Sequence, residues 1–247
     1  MNTAHRRSVG WFSCGAASAI AMKLAAPDVI AYCETRSEHP DNARFMVDCE
    51  RWFGKPVTRL RSSKYTDTWA VWEAKKYLAG IDGAPCTGEL KIKPRLEFQR
   101  PDDTHIFGYT EDSRDIQRAK ALQEHWPDME CRFPLIERGL TKAACVAMLY
   151  RAGIDPPLTY ALGFPNANCL PCVKATSPAY WALVRKHFPE NFGRMVALSR
   201  RLGVRLARIG DERVFIDEIP PDYPVVGAVS PDCDLLCSLA EQEMGQK

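Results

Sequence analysis

The sequence has little that would mark a membrane or exported protein. It contains no uncharged apolar run of about 18 residues, so no membrane span is expected. The basic start is not followed by an unbroken apolar stretch, because Ser13, Cys14 and Gly15 interrupt it, and no secretion signal is expected. Internal repeats and low-complexity segments are also lacking. We therefore expect a cytoplasmic protein that does not associate with membranes.

The sequence also lacks a large net charge of either sign. The 33 basic and 31 acidic side chains leave a formal net charge of +2, which gives no global preference for nucleic acid or an anionic membrane. Hydrophobic residues make up 46% and charged residues 26%, as is ordinary for a globular protein. The length of 247 residues allows one large α/β domain, with or without a small appendage. The oligomeric state is left open.

Cysteine, in contrast, is abundant, with ten residues. A disulfide framework fits poorly, because the chain is long and its cysteines are tightly spaced at only one place. Clustered cysteines in a cytoplasmic protein favour metal binding or thiol chemistry. Four of them lie in apolar periodic runs, where cysteine behaves as a small hydrophobic residue, and we expect these in the core: Cys33, Cys49, Cys131 and Cys145.

Strand patterns alternate with helix patterns through the first two-thirds of the chain. This alternation predicts a doubly wound, mostly parallel α/β sheet of the Rossmann-like kind. Two regions break it: residues 65–100, predicted as a helical flap, and residues 156–247, predicted as an irregular C-terminal cap. The predicted nucleotide-binding domain is 1–155, and ligands are expected at the carboxyl edge of its sheet.

A turn of small residues joins the first predicted strand to the first helix. The segment Ser13-Cys-Gly-Ala-Ala-Ser18 would let backbone N–H groups approach a phosphate at a helix N-terminus. Ser13 and Ser18 would add hydroxyl donors. The alternative is a tight turn that binds nothing, and position alone does not decide between the two.

Cys169 and Cys172 form the only CxxC pair, in a loop with Asn168 and Pro171. This spacing lets two thiolates converge on one metal ion or cluster. A redox disulfide and two unrelated thiols are the alternatives. A site of this kind needs about four ligands. Cys233 and Cys237 also lie outside predicted core segments, and either could contribute. A sulfur-rich set without a clear histidine suits a [4Fe–4S] cluster or Zn²⁺.

Several segments resemble the phosphoadenosine phosphosulfate (PAPS) reductase and PP-loop ATP pyrophosphatase family. Ser13–Ser18 is similar to the PP-loop Ser-Gly-Gly-x-Asp-Ser, with Ala17 in place of the Asp, as in PAPS reductases. Residues 34–41, Glu-Thr-Arg-Ser-Glu-His-Pro-Asp, are similar to Asp-Thr-Gly-x-Glu-x-Pro. Residues 86–94 resemble Cys-Cys-x-x-x-Lys-x-x-Pro of the iron–sulfur branch, with one cysteine instead of two. Residues 107–114 resemble Gly-x-Arg-x-x-Glu/Asp-x-x-Arg, with Tyr109 replacing the first basic residue.

The resemblance implies the adenine nucleotide alpha hydrolase-like fold, an adenine nucleotide (ATP or a phosphosulfate nucleotide) and a [4Fe–4S] cluster, with Zn²⁺ as alternative. Mg²⁺ held by Glu111, Asp112 and Asp115 with substrate phosphates is a further candidate. The nucleotide-binding residues implied are Ser13, Cys14, Gly15, Ala16, Ala17, Ser18, Glu34, Thr35, Glu38, Gly108 and Lys174. The metal ligands implied are Cys86, Cys169, Cys172 and Cys237. Lys91, Arg114 and Cys233 are the candidate catalytic residues.

Three functions follow as hypotheses. The first is a PP-loop enzyme that adenylates an acceptor and supports sulfur transfer, as in thiolation or phosphorothioation. Its partners would be a sulfur donor protein, such as a cysteine desulfurase or a thioredoxin-like protein, and a tRNA or DNA acceptor. The second is a PAPS or adenosine phosphosulfate reductase that forms sulfite, with Cys233 as attacking thiolate. Asp232 and Asp234 would disfavour that thiolate. The third is a non-catalytic nucleotide- and metal-binding partner in a sulfur-modification or defence complex.

Overall fold

The structure is a computed structural model that describes residues 6–81, 83–225, 230–232 and 235–245. Its centre is a sheet of five strands in the order β3-β2-β1-β4-β5, and every neighbouring pair is parallel. The predicted α/β fold with a parallel sheet is confirmed. The strands are β1 Ser8–Trp11, β2 Val29–Cys33, β3 Val57–Leu60, β4 Thr104–Phe107 and β5 Cys131–Arg132.

Helices connect and cover these strands. The first part of the chain has α1 Ala16–Ala25, α2 Asn42–Phe53, α3 Thr68–Lys75, α4 Pro85–Thr87, a π-helical stretch Gly88–Ile92, α5 Lys93–Phe98 and α6 Ser113–His125. The second part has α7 Lys142–Arg151, α8 Leu158–Ala161, α9 Pro178–His187, α10 Pro189–Leu202 and α11 Leu235–Gly245. A small antiparallel hairpin, β6 Ala207–Ile209 and β7 Glu212–Val214, precedes a 3₁₀ turn at Ile216–Glu218. None of the helices in the described ranges has the length and apolarity that crossing a bilayer requires.

The sheet is covered on both faces. Side chains alternate along each strand, so Ile30, Tyr32 and Ile106 face the core that α1, α2 and α7 share. Val9, Trp11 and Ala31 face the other side, where Phe98 of α5 packs against them. The apolar spacing within each strand thus separates two layers.

A second core joins the flap to the cap. Trp69 and Trp72 of α3 pack in one apolar cluster with Trp181 and Val184 of α9 and with Ile216. The two segments that break the strand–helix alternation therefore bury their aromatic side chains against each other. This pairing follows from chemistry: neither segment alone has enough apolar surface to form a core.

The C-terminal segment differs from its prediction. Within the predicted irregular cap, a strand ends at Val214 and a 3₁₀ turn follows at Ile216–Glu218. Leu235–Gly245 forms α11, and Ala240 and Met244 pack in the sheet core rather than the cap. Leu, Ala, Glu and Met favour a helix there once proline is past. The domain boundary near residue 155 stays a prediction. Although α11 follows that boundary in the sequence, it packs with the sheet rather than with the cap.

Candidate functional site

The turn between β1 and α1 directs backbone N–H groups toward one point. The Ser18 hydroxyl oxygen accepts from the N–H of Ser13 at 3.1 Å and from the N–H of Gly15 at 3.3 Å, and it donates to the Gly15 carbonyl at 2.9 Å. The N–H of Ala16 donates to the Tyr160 hydroxyl at 3.2 Å. Gly15 is the residue that precedes α1, with φ −125°. These N–H groups are bonded to the hydroxyls of Ser18 and Tyr160, so a phosphate at this helix N-terminus would have to replace those hydroxyls as the acceptor.

Two residues fix the position of this loop. Cys14 is buried with φ 58°, a left-handed conformation that glycine adopts more readily, and its thiol donates to the Asn42 carbonyl at 3.2 Å. Gly108 follows β4, and a Cβ there would lie 2.6 Å from Ser18 Cα. The close approach of β4 to α1 therefore requires glycine at 108, and this contact helps to fix the position of the loop. Ala17, at the PP-loop aspartate position, is half-buried.

The segment after β2 sends its side chains in two directions. Thr35 is buried and its hydroxyl is hydrogen-bonded to Cys169 Sγ at 3.0 Å, while Glu38 Oε1 lies 3.8 Å from the same sulfur. Glu34 turns away, pairing with Arg61 and with Arg36 at 3.9 Å. Glu34 lines a cavity of about 150 Å³ beside the residues that follow β3. Thr35 and Glu38 thus face the cysteine loop, and Glu34 does not.

Backbone contacts hold the CxxC loop at this sheet edge. The N–H of Leu170 donates to the Ser37 carbonyl at 2.7 Å, and the N–H of Cys172 donates to the Tyr180 hydroxyl at 2.6 Å. Burial raises the pKa of the Cys169 thiol to about 12, with Lys91 opposing the shift. Cys169 is therefore a neutral thiol at pH 7, and binding a metal there would release its proton.

Lys91 of the flap lies beside the CxxC loop, and we call the place where they meet the cleft. The side chain of Lys91 is exposed. Burial disfavours its charge, but Cys169 and the neighbouring Glu38 and Cys172 outweigh burial and raise the pKa of Lys91. It belongs to the π-helical stretch, a helix type that is frequent at functional sites. The cleft thus holds a protonated lysine facing thiols.

Cys86 lies at the rim of the same cleft and packs in the flap–cap core together with Cys172. Burial raises the pKa of Cys86, the neighbouring indole of Trp72 lowers it, and Cys172 and the cations Lys91 and Lys174 act on it as well. The structure therefore brings Cys86, Cys169 and Cys172 to one region. Among the described residues, no group of three or more Cys, His, Asp or Glu side chains is arranged to hold a metal ion.

Other predicted site residues lie elsewhere. Cys237, predicted as the fourth metal ligand, is fully buried in the sheet core on α11, because the apolar side of that helix faces α1 and α7. Arg114 is exposed on the first turn of α6. Asp112 and Asp115 accept from the Thr110 hydroxyl at 2.7 and 3.1 Å. Cys233 lies outside the described residues.

Sequence patterns missed Tyr160 and Tyr180, whose hydroxyls support the phosphate loop and the CxxC loop. Tyr160 is 6% exposed and Tyr180 is 8% exposed. Each is a tyrosine in a helical segment, where an aromatic residue is ordinarily part of the core. No local signal distinguishes them, because the role of Tyr160 depends on a residue 144 positions away in the chain.

Comparison with known proteins gives a match in structure. A solved PAPS reductase structure from Candida auris, a phosphate complex, superposes with a TM-score of 0.51 over 67% of this chain and 82% of that chain, at 10% sequence identity. This chain has the fold of a PAPS reductase. No protein-family model and no curated protein matches its sequence. In this chain the loop after β1 and the segment after β2 lie side by side, because β1 and β2 are neighbouring parallel strands.

Proposed function

We propose that this protein is an adenine-nucleotide-dependent enzyme of sulfur chemistry that activates an acceptor for sulfur transfer. One juxtaposition carries the proposal. The loop Ser13–Ser18, with N–H groups suited to a phosphate, lies at the same sheet edge as a cleft that contains Lys91 and the thiols of Cys169 and Cys172. A nucleotide bound at the loop would direct its reacting phosphate toward a cation and sulfur atoms.

The proposed reaction has two steps. An acceptor oxygen attacks the α-phosphorus of ATP, pyrophosphate leaves, and the acceptor becomes an adenylate. A sulfur nucleophile then attacks the acceptor carbon, and AMP leaves with the oxygen. Lys91 would stabilise negative charge that develops on phosphate oxygens, a role that suits a protonated lysine in a cleft. A sulfur donor protein would supply the sulfur, and a tRNA or DNA nucleoside is the proposed acceptor.

A second candidate is reduction of a phosphosulfate nucleotide to sulfite. The fold match favours it, because the similar solved structure is that of a PAPS reductase. That reaction needs a thiolate that attacks the sulfur of the sulfo group. The sequence assigns that role to Cys233, which lies outside the described residues. Burial keeps Cys169 protonated at neutral pH, so Cys169 does not replace it as the nucleophile.

The two candidates give different products from different nucleotides. We expect the protein to release pyrophosphate from ATP when acceptor RNA or DNA and a sulfide source are present. Thiol-dependent sulfite formation from PAPS, without pyrophosphate release from ATP, would replace the first proposal by the second. Absence of both reactions in a protein that binds nucleotide would favour a non-catalytic binding partner.

We further propose that Cys86, Cys169 and Cys172 ligate a [4Fe–4S] cluster, with Zn²⁺ as the alternative. The donors fit in chemical type, since thiolates select iron–sulfur clusters and zinc. They do not form a ready site, so binding would draw the three sulfurs together. The indole N–H of Trp72, which adjoins the Cys86 thiol and lowers its pKa, could donate to a bound sulfur. A bound cluster would supply a sulfur-binding or electron-transfer centre.

Metal content should depend on the thiols of the cleft. Anaerobically purified protein is expected to contain either iron, with a broad absorption near the visible range, or zinc, with no such absorption. Cys169→Ser and Cys172→Ser are each expected to lose at least about tenfold in bound metal. Because Cys169 must release a proton, metal affinity should rise with pH.

The matched control is Cys145→Ser, since Cys145 is fully buried in the sheet core on α7. It should retain the metal whenever it folds. Equal metal content in all three variants would contradict a site at the CxxC loop.

A further inference from the structure

The sheet face opposite α1 contains a buried cation. Arg95 of α5 is 8% exposed, and its guanidinium lies 5.1 Å from the ring centroid of Trp126, which follows α6. The surrounding layer is largely apolar, with Trp11 and Phe98 in contact there. A charged side chain in such a layer needs compensation, because an unpaired buried charge strongly destabilises the folded state.

Several buried polar atoms around the Arg95 guanidinium make no hydrogen bond to the described residues. Nε and Nη2 of Arg95 are buried and make no hydrogen bond to any described residue. One helical turn further along, Gln99 Oε1 is also buried without a donor in the described chain. Two N–H groups and a carbonyl oxygen on one side of α5 are thus directed into the layer without being satisfied, which is rare in folded proteins.

The groups that face Arg95 do not neutralise it. They are the thiols of Cys33 and Cys131 and the phenol of Tyr109. Burial raises the pKa of Cys33 to about 11 and that of Cys131 to about 11, and it also raises the pKa of Tyr109. All three are neutral at pH 7. His105, the neighbouring base, has its pKa lowered by burial and is neutral as well.

Cys33 connects this place to the cleft. Its thiol donates to the Lys91 carbonyl at 3.5 Å, and Lys91 and Arg95 are the two cations that act on it. Lys91 and Arg95 lie four residues apart in the continuous helical run from the π-helical stretch into α5. Cys33 is therefore a shared neighbour of the lysine in the cleft and of the buried arginine.

We propose that Arg95 is the centre of a binding site, beside Cys33, for a small sulfur oxyanion of the sulfate or sulfite class. The guanidinium offers its two unsatisfied N–H groups as a fork that matches two oxygens of one oxyanion. Gln99 would hold the oxyanion through water. The anion site follows from the unpaired arginine, and the preference for sulfur over phosphorus rests on the proposed function.

The test measures thermal unfolding of the full chain, without nucleotide, across sulfate concentrations. A ligand that binds only the folded state raises the unfolding temperature. At a sulfate concentration near a hundred times its Kd, we expect a rise of ~5 °C or more. Arg95→Met should fold, because an apolar side chain of similar length replaces an unpaired buried charge. It should lose most of the sulfate-induced shift, keeping only what the phosphate loop contributes.

Arg118→Met is the matched control. Arg118 stacks on Tyr109 in the same region, at 4.7 Å from its ring centroid, but it is exposed and pairs with Asp115. Its sulfate response should equal that of the unmodified protein. A selenate soak should place an anomalous selenium peak beside Arg95 in the crystal.

Three outcomes would overturn the proposal. Equal sulfate shifts in Arg95→Met and the unmodified protein would exclude the site, as would a crystal with ordered water only at Arg95. An equal Arg95-dependent shift with phosphate would remove the assignment to sulfur. Because no nucleotide is present, these results are independent of whether the adenylation proposal holds.

Discussion

Gly15→Val is expected to weaken binding of ATP by at least about a hundredfold, or ~2.7 kcal/mol, while leaving the fold intact. The N–H of Gly15 belongs to the set that converges before α1, and a branched side chain beside it would keep a phosphate from approaching the backbone. The protein itself can accommodate the change. The backbone at Gly15 is extended, and an added Cβ would meet Tyr160 Oη at 3.4 Å and Ser13 Oγ at 3.9 Å.

Isothermal titration calorimetry with ATP, together with thermal unfolding, separates binding from stability. Gly193→Val on α10 is the matched control, because an added Cβ there meets no atom within 4 Å. It should bind ATP normally. Gly15→Ala should fall between the two. A folded Gly15→Val protein with unchanged ATP affinity would move the nucleotide away from this loop.

Lys91→Met is expected to lower kcat/KM by about 10²–10³, whichever of the two reactions the protein catalyses. The lysine is the cation of the cleft, and its charge is maintained because Cys169 and Glu38 raise its pKa above the ordinary value. A methionine of similar length keeps the packing and removes only the charge. Since the pKa is raised, the contribution of Lys91 should persist from pH 7 to pH 9 and decline only at more alkaline pH.

Lys93 supplies the control for this substitution. It lies two residues away, is exposed, and pairs with Glu89 at 2.7 Å. Glu89 is buried but keeps its second partner, Lys75, at 3.1 Å, so Lys93→Met should keep activity within about twofold. Lys91→Arg should recover part of the rate because it restores the charge. Equal activities of Lys91→Met and Lys93→Met would remove Lys91 from the reaction.

The sequence predicted the sheet because its signals are local. The alternation of strand and helix patterns predicts the parallel sheet that the structure has, and the small residues of Ser13–Ser18 predict the turn before α1. Pairing of Cys169 with Thr35 was harder to foresee, although both belong to predicted site segments. Their contact depends on how the cap folds back over the sheet, and no periodic pattern encodes that.

Misassignments arose where local composition and tertiary packing point in different directions. Cys237 followed a Pro-rich segment and was expected in an irregular loop, but α11 buries it beside α1. Arg95 was overlooked, because an arginine four residues after Lys91 on a helix is ordinarily a solvated charge. Only the position of α5 against the sheet makes it a buried cation.

The shared core of flap and cap has a consequence for the order of synthesis. Trp69 and Trp72 leave the ribosome long before α9 and Ile216, the partners that cover them. Until the chain has been translated past residue 216, these indoles have no completed surface to pack against. The sheet core is likewise incomplete until Ala240 and Met244 of α11 have been synthesised. A nascent chain of this protein therefore exposes apolar surface until α11 has been translated, the period in which chaperones protect such segments from aggregation.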